Sequence, residues 1–320
     1  MSQNFRGGGR GEVGPKPFDF VEANTQPVRE TPIFHDKQQG KTVSGRFNLH
    51  LRTLTPLHIG SGITELSSRL SISQSDKNSF PLVISFMTGA EGKKIIPGSS
   101  LKGAIRAAYE AITRSCVSTD RRNSCFRPKE NYCPACRLFG AMGYLSRVRF
   151  SEALQTGNNV EIRRLPHQFS PRNTDGRKFY FNGKPATGEA PVEVVPEGEE
   201  FVFNLDFENL QPQEIGGLLL AMAFVPIDGQ DFRLKLGGYK PRGLGTVEFS
   251  LERVELWSTV ASLQYDESAT ELFTVSSEIE GKIKEWVALA RNGFILEPNL
   301  KKLADILKYP NDFIAPSGIY

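Results

Sequence analysis

The stretch Ile95-Ile96-Pro97-Gly98-Ser99-Ser100-Leu101-Lys102-Gly103-Ala104-Ile105-Arg106 restricts the fold of this chain more than any other. Two β-branched residues bring a strand to its end, and Pro97-Gly98 breaks it. Ser99 or Ser100 can then cap the helix that follows. Leu101, Ala104, Ile105, Ala108 and Ile112 repeat at helical spacing and predict a helix over 99–115, with Lys102 and Arg106 sharing another face. A helix start with free amides, two hydroxyls and a lysine suits a phosphate. The missing side chain of Gly103 leaves room for a sugar-phosphate or a second backbone. Most capped strand-to-helix turns bind nothing, so the rest of the chain must decide.

Phe47, Leu49, Leu51 and Leu54 alternate with polar residues and predict a half-buried strand running into the turn at Gly60-Ser61-Gly62. His58, at the end of that strand, is a candidate base or phosphate donor; a structural role is the alternative. Phe201, Phe203, Leu205 and Phe207 alternate in the same way, and Ile215–Phe224 reads as an apolar helix in which Gly216 and Gly217 allow close packing. The loop 237–245 is rich in glycine and offers amides plus Lys240 and Arg242 to an anion. It lacks the Gly-Lys-Ser/Thr ending of a nucleotide-triphosphate loop.

All four cysteines fall between 116 and 136, as Cys116, Cys125, Cys133 and Cys136. Four thiols in so short a polar segment suit a tetrahedral structural zinc better than disulfides. Metal would then supply the order that the segment's few apolar residues cannot. A buried core role for Cys136 is the alternative, and His167 is a possible substitute ligand.

Charge is unevenly placed. The net charge is only +3, yet residues 101–150 hold ten Lys/Arg against three Asp/Glu, which suggests a polyanion met by one region. Further on, Arg163, Arg164, Arg172, Arg177 and Lys178 interleave with Phe169, Phe179, Tyr180 and Phe181, combining phosphate neutralisation with stacking faces. Residues 1–43 read as an extended arm whose Phe18, Phe20, Ile33 and Phe34 are expected to dock on a neighbouring subunit. Residues 258–320 read as a separate helical extension. No apolar run is long enough to span a bilayer and the N-terminus has no signal-like apolar region, so a cytoplasmic location without membrane contact is expected.

Three motifs in order carry a resemblance. The string IPGSSLKGAIR, the segment Cys136-Arg137-Leu138-Phe139-Gly140 followed by Arg147–Ala153, and the loop Leu236–Val247 are together similar to the RAMP superfamily, the RNA-binding subunits of CRISPR effector complexes. Glu152 stands where an aspartate is commoner. The likeness covers roughly residues 44–257 and points to a backbone-type subunit of a type III effector.

The resemblance implies an α+β fold: a modified ferredoxin-like core of RNA-recognition-motif type over 44–257. A zinc-binding insertion at 116–136 and a thumb hairpin at 160–190 interrupt that core. It implies guide RNA, target RNA and other effector subunits as partners. The RNA contacts expected are Ser99, Ser100, Lys102, Gly103, Arg106, Arg147, Arg149, Arg163, Arg164, Phe169, Lys240 and Arg242. Catalytic relatives cut target RNA with an aspartate before the run Phe80–Phe86; the nearest acid here is the displaced Asp76, with Glu65 a weaker candidate. If Asp76 cuts, Mg2+ or Mn2+ is expected with it. A guide-processing ribonuclease using His58 is the remaining alternative. Whether the chain is a passive binder or an enzyme stays open at the level of sequence.

Overall fold

The computed structural model describes residues 15–24, 26–35, 41–117, 124–125, 130–168, 176–257 and 270–318. In chain order its first seven strands are β1 (Phe18–Val21), β2 (Val43–Thr53), β3 (Gly60–Leu66), β4 (Leu82–Phe86), β5 (Ile95–Ile96), β6 (Val148–Phe150) and β7 (Ala153–Gln155). The others are β8 (Glu161–Leu165), β9 (Arg177–Tyr180), β10 (Ala190–Val194), β11 (Glu200–Leu210), β12 (Leu234–Lys235), β13 (Thr246–Trp257) and β14 (Thr270–Phe273). The helices are α1 (Gln74–Ser79), α2 (Gly98–Ile112), α3 (Pro134–Phe139), α4 (Pro212–Ala221), α5 (Ser276–Arg291) and α6 (Glu297–Ile306). None of the helices among the described residues is long and apolar enough to cross a membrane.

The period-two pattern builds the main sheet. It runs β12-β13-β2-β11-β7-β5, with β14 beside β13 and β6 beside β11. Its pairs are antiparallel. In β2 and β11 the alternating Phe47, Leu49, Leu51, Phe201, Phe203, Leu205 and Phe207 are all buried, one face of each strand serving the core. α2 follows β2 in the chain and α4 follows β11; their apolar faces join the same core. A smaller sheet, β3-β4-β10-β8, sits beside it over a second cluster containing Leu165, Val192, Val194, Tyr239 and Leu244.

Two expectations need correction. The helices past 275 are not a separate extension: Ile279, Ile283, Trp286, Val287 and Ala290 of α5 lie in the main core. A Cβ on Gly216 of α4 would stand 1.9 Å from the Trp286 carbonyl oxygen, so only glycine permits that approach. The arm before β2 docks on its own chain. β1 pairs with β9, Ile33 is buried, and Glu30 bridges to Tyr132. Of Phe18, Phe20, Ile33 and Phe34, Phe34 alone is well exposed. In the stretch 160–190, where a thumb hairpin is expected, the strands take different partners. β8 pairs with β10 in the smaller sheet, whereas β9 pairs with β1 in a two-stranded ribbon.

Candidate functional site

The helix start at 95–106 forms as the sequence predicts, one residue early and without a serine cap. Pro97 precedes the helix, and its carbonyl accepts from the amides of Ser100 and Leu101. The close approach that glycine permits is at Gly98, where a Cβ would stand 2.2 Å from the Phe150 carbonyl oxygen. At Gly103 a Cβ would meet only open space. That open space is a groove of about 450 Å³. Ser99, Ser100 and Gly103 form one side of it, and Gly237, Gly238 and Lys240 a second. Lys178, Phe179 and Tyr180 of β9 form a third, with Lys235 at the end of β12. Two motifs that lie far apart in sequence therefore meet at one place.

The glycine-rich loop is held there by His58. Gly237 has φ +74° and would drive a Cβ into the His58 carbonyl, and the Gly238 amide donates to that same oxygen at 2.8 Å. His58 itself is buried, its Nδ1 donating to the Glu193 carbonyl at 2.7 Å. The ring meets Tyr239 and Phe86 edge-on. Burial depresses its pKa despite that carbonyl contact, so the neutral Nδ1–H form is favoured. In this setting His58 supports the loop rather than facing solvent as a base.

Three lysines face the groove, and among the described residues none has a carboxylate oxygen within 4.0 Å. Lys235 is wholly buried, donates to the Phe181 carbonyl at 3.2 Å, and is pushed down to about 7 by desolvation and by Lys240. Lys240 donates to the Gly237 carbonyl at 2.7 Å, and burial lowers its pKa as well. Lys178 lies 4.3 Å over the Phe18 ring and is lowered by the same cause. Lys102, one turn into α2, is lowered by burial and by Arg106. Cations crowded together and stripped of water without counter-charges gain most from a bound anion. The sequence reading named Lys178 and Lys240 but missed Lys235. Its only signal was a lysine set inside Leu234-Lys235-Leu236, directly before the paired glycines.

Other candidate RNA contacts lie elsewhere. Arg147 is buried: its guanidinium clamps Glu214 at 2.7 and 3.1 Å and donates to the carbonyls of Arg137 and Asn209. Arg242 is equally buried and donates to the carbonyls of His167, Pro316 and Gly318. Both are internal fasteners, which corrects their expected role as RNA contacts. Arg106 is engaged with Glu110, the Gly140 carbonyl and Cys136. Arg149 is exposed and pairs with Glu208. Arg163 pairs with Glu161, and Arg164 stacks 4.9 Å over Phe80. Phe169 lies outside the described residues.

Asp76 lies not in a loop but in the first turn of α1. Its amide donates to Ser73 Oγ at 3.1 Å and its carboxylate accepts from that hydroxyl at 2.7 Å. It thereby helps cap α1 and is not part of the groove.

The four cysteines converge as expected. All are buried and unpaired by disulfide, and their Sγ atoms lie within 4.8 Å of one another. Cys116 is 3.8 Å from Cys136 and 3.5 Å from Cys133. Zinc bonds of about 2.3 Å in a tetrahedron put sulfurs about 3.8 Å apart, whereas a disulfide holds them at about 2.05 Å. The donor set therefore fits a tetrahedral thiophilic metal such as zinc, and needs no His167.

Comparison with known proteins identifies a family. A search of curated proteins found no match. The family model described as RAMPs, the RAMP superfamily, matches residues 50–248, from the end of β2 through both groove-lining motifs and the cysteine segment. The chain belongs to the RAMP superfamily.

Proposed function

We propose that this chain is a backbone-type RNA-binding subunit of a type III CRISPR interference complex, holding guide RNA in the lysine-lined groove and shaping its duplex with target RNA. Membership of the superfamily supports a CRISPR-associated, RNA-binding role. The observation that carries the finer reading is the meeting of the α2 start, the glycine-rich loop and β9 around three lysines without counter-charges. Hydroxyls, ammonium groups and aromatic faces suit phosphates and stacked bases, with sequence readout left to base pairing. The guide contacts assigned here are Ser99, Ser100, Lys178, Lys235 and Lys240, with Lys102 at the margin.

The strand order supports a ferredoxin-like core. Taking β2, the β6–β7 stretch, β11 and β13 as four successive strands, with α2 and α4 after the first and third, gives a β-α-β-β-α-β course. The cysteine segment then serves as a zinc-stabilised insertion. The groove lining contains no carboxylate or imidazole among the described residues, which favours binding over cleavage there.

The test uses the assembled effector with its guide. The paired substitutions Lys178→Ala and Lys240→Ala should release guide RNA without base preference, while the subunit still assembles. Full retention of guide would refute the assignment.

A further inference from the structure

Holding the glycine-rich loop uses only part of His58. Nδ1 meets the Glu193 carbonyl at 2.7 Å, and a carbonyl can only accept. The ring proton therefore sits on Nδ1, and Nε2 carries a lone pair. The anchor is itself firmly set: Lys94 Nζ lies 2.7 Å from one carboxylate oxygen of Glu193, and the other accepts from the Phe86 amide at 2.8 Å. Among the described residues nothing donates to Nε2.

Nε2 looks out between two glycines of the groove. A Cβ on Gly60 would stand 3.4 Å from Nε2 and, its chain neighbours apart, within 4 Å of no other atom. A Cβ on Gly238 would stand 3.3 Å from the adjoining Cδ2. Both glycines line the groove. The imidazole edge lies directly behind that lining and is left uncovered because neither residue has a side chain. His58 as a whole is only 3 % exposed, and an acceptor in so dry a place costs free energy until something donates to it.

We propose that His58 Nε2 accepts a hydrogen bond from a ribose 2′-hydroxyl and so selects RNA over DNA in the groove. The lysines of the groove can only donate, and phosphate oxygens answer them. An acceptor beside them calls for a ligand that carries a donor within one sugar of its phosphate. The 2′-hydroxyl meets that need at every nucleotide whatever the base, and deoxyribose lacks it. Burial disfavours the imidazolium, so the ring takes the hydrogen bond and not the proton. The inference rests on the groove holding a nucleic-acid strand, the reading given under the proposed function.

The test is fluorescence anisotropy of the full chain with one mixed sequence made as RNA, as DNA and as the 2′-fluoro strand, which keeps an RNA-like sugar pucker but cannot donate. The wild type should hold RNA about ten-fold more tightly than the 2′-fluoro strand; equal affinities would overturn the proposal. Gly60→Ala places a methyl group against Nε2, and His58→Asn keeps a donor for the Glu193 carbonyl while removing Nε2. Both variants should lose the preference for RNA over the 2′-fluoro strand, with thermal melting confirming that they fold. Should His58→Asn fail to fold, Gly60→Ala decides: a preference unchanged there places the hydroxyl contact elsewhere and overturns the proposal. Repeated with oligouridylate and oligoadenylate, the preference should persist in both; its restriction to one base would mean that Nε2 reads a base and not the sugar. A wild-type chain that binds none of the strands would remove the RNA reading of the groove itself, a failure distinct from equal binding of RNA and the 2′-fluoro strand.

Discussion

Arg147 and Glu214 form a bidentate ion pair with both side chains almost wholly inaccessible, closing the gap between the start of β6 and the first turn of α4. Glu214 Oε2 also accepts from the Gln211 amide at 2.9 Å, completing the capping box of α4. A basic residue beside an RNA-like motif is here part of the core's polar frame. Removing it strands a buried carboxylate. Arg147→Ala should therefore lower stability by about 3–5 kcal/mol in urea unfolding, and a variant as stable as wild type would return Arg147 to the list of surface cations.

Lys235 makes stability depend on pH in a defined sense. Its folded pKa, about 7, lies below the unfolded value near 10.5. The unfolded chain therefore binds the proton more tightly, and this side chain costs stability below pH 7. Its penalty fades as pH rises from 7 toward 10.5. Lys235→Met should raise stability at pH 6 by on the order of 3 kcal/mol and gain little at pH 10. Equal gains at both pH values would contradict the buried, uncompensated lysine.

The same group sets the pH response of binding. An anion in the groove favours the charged ammonium, so binding takes up a proton above pH 7. Affinity for a short single-stranded RNA should weaken between pH 7 and 9 by up to about ten-fold per unit. Lys235→Met should bind more weakly but flatten that slope, as fluorescence anisotropy at constant ionic strength would reveal.

Metal removal gives a fourth check. Native mass spectrometry should find one zinc per chain, and Cys133→Ser should reduce occupancy sharply. Replacing zinc with cobalt should produce the visible bands of a tetrahedral thiolate site. A chain that folds fully with no bound metal would exclude the zinc assignment.

Asp76 offers the discriminating experiment for cleavage. Its tie to Ser73 predicts that Asp76→Ala weakens the α1 cap by about 1 kcal/mol and leaves the pattern of target-RNA cuts in the assembled complex unchanged. Loss of one mapped cut, with target still bound, would make this a nuclease subunit.

Much of the architecture is legible in the sequence because it rests on local periodicity. The alternation in 47–51 and 201–207, the helix from Leu101 to Ile112 and the cysteine cluster follow from residue types at short spacing. What is not legible depends on partners remote in the chain. Arg147 turns inward because Glu214, 67 residues away, receives it; spacing around Arg147 carries no trace of that. Lys235 escapes notice because a lone lysine between leucines reads as a solvent-facing strand position. The β9 wall is recognised by its basic and aromatic content, but its strand partner, the short run Phe18–Val21, lies in a segment whose composition resembles a tail.

The contact between Phe47 of β2 and Trp286 of α5, with ring centroids 5.8 Å apart, has a consequence for how the protein is made. Phe47 is synthesised early and waits beside an incomplete core until α5 has been translated. Contacts so distant in sequence form slowly, and until then the apolar face of β2 is open to solvent and to other nascent chains. The window in which this protein is most vulnerable to aggregation is therefore the time between translation of β2 and translation of α5.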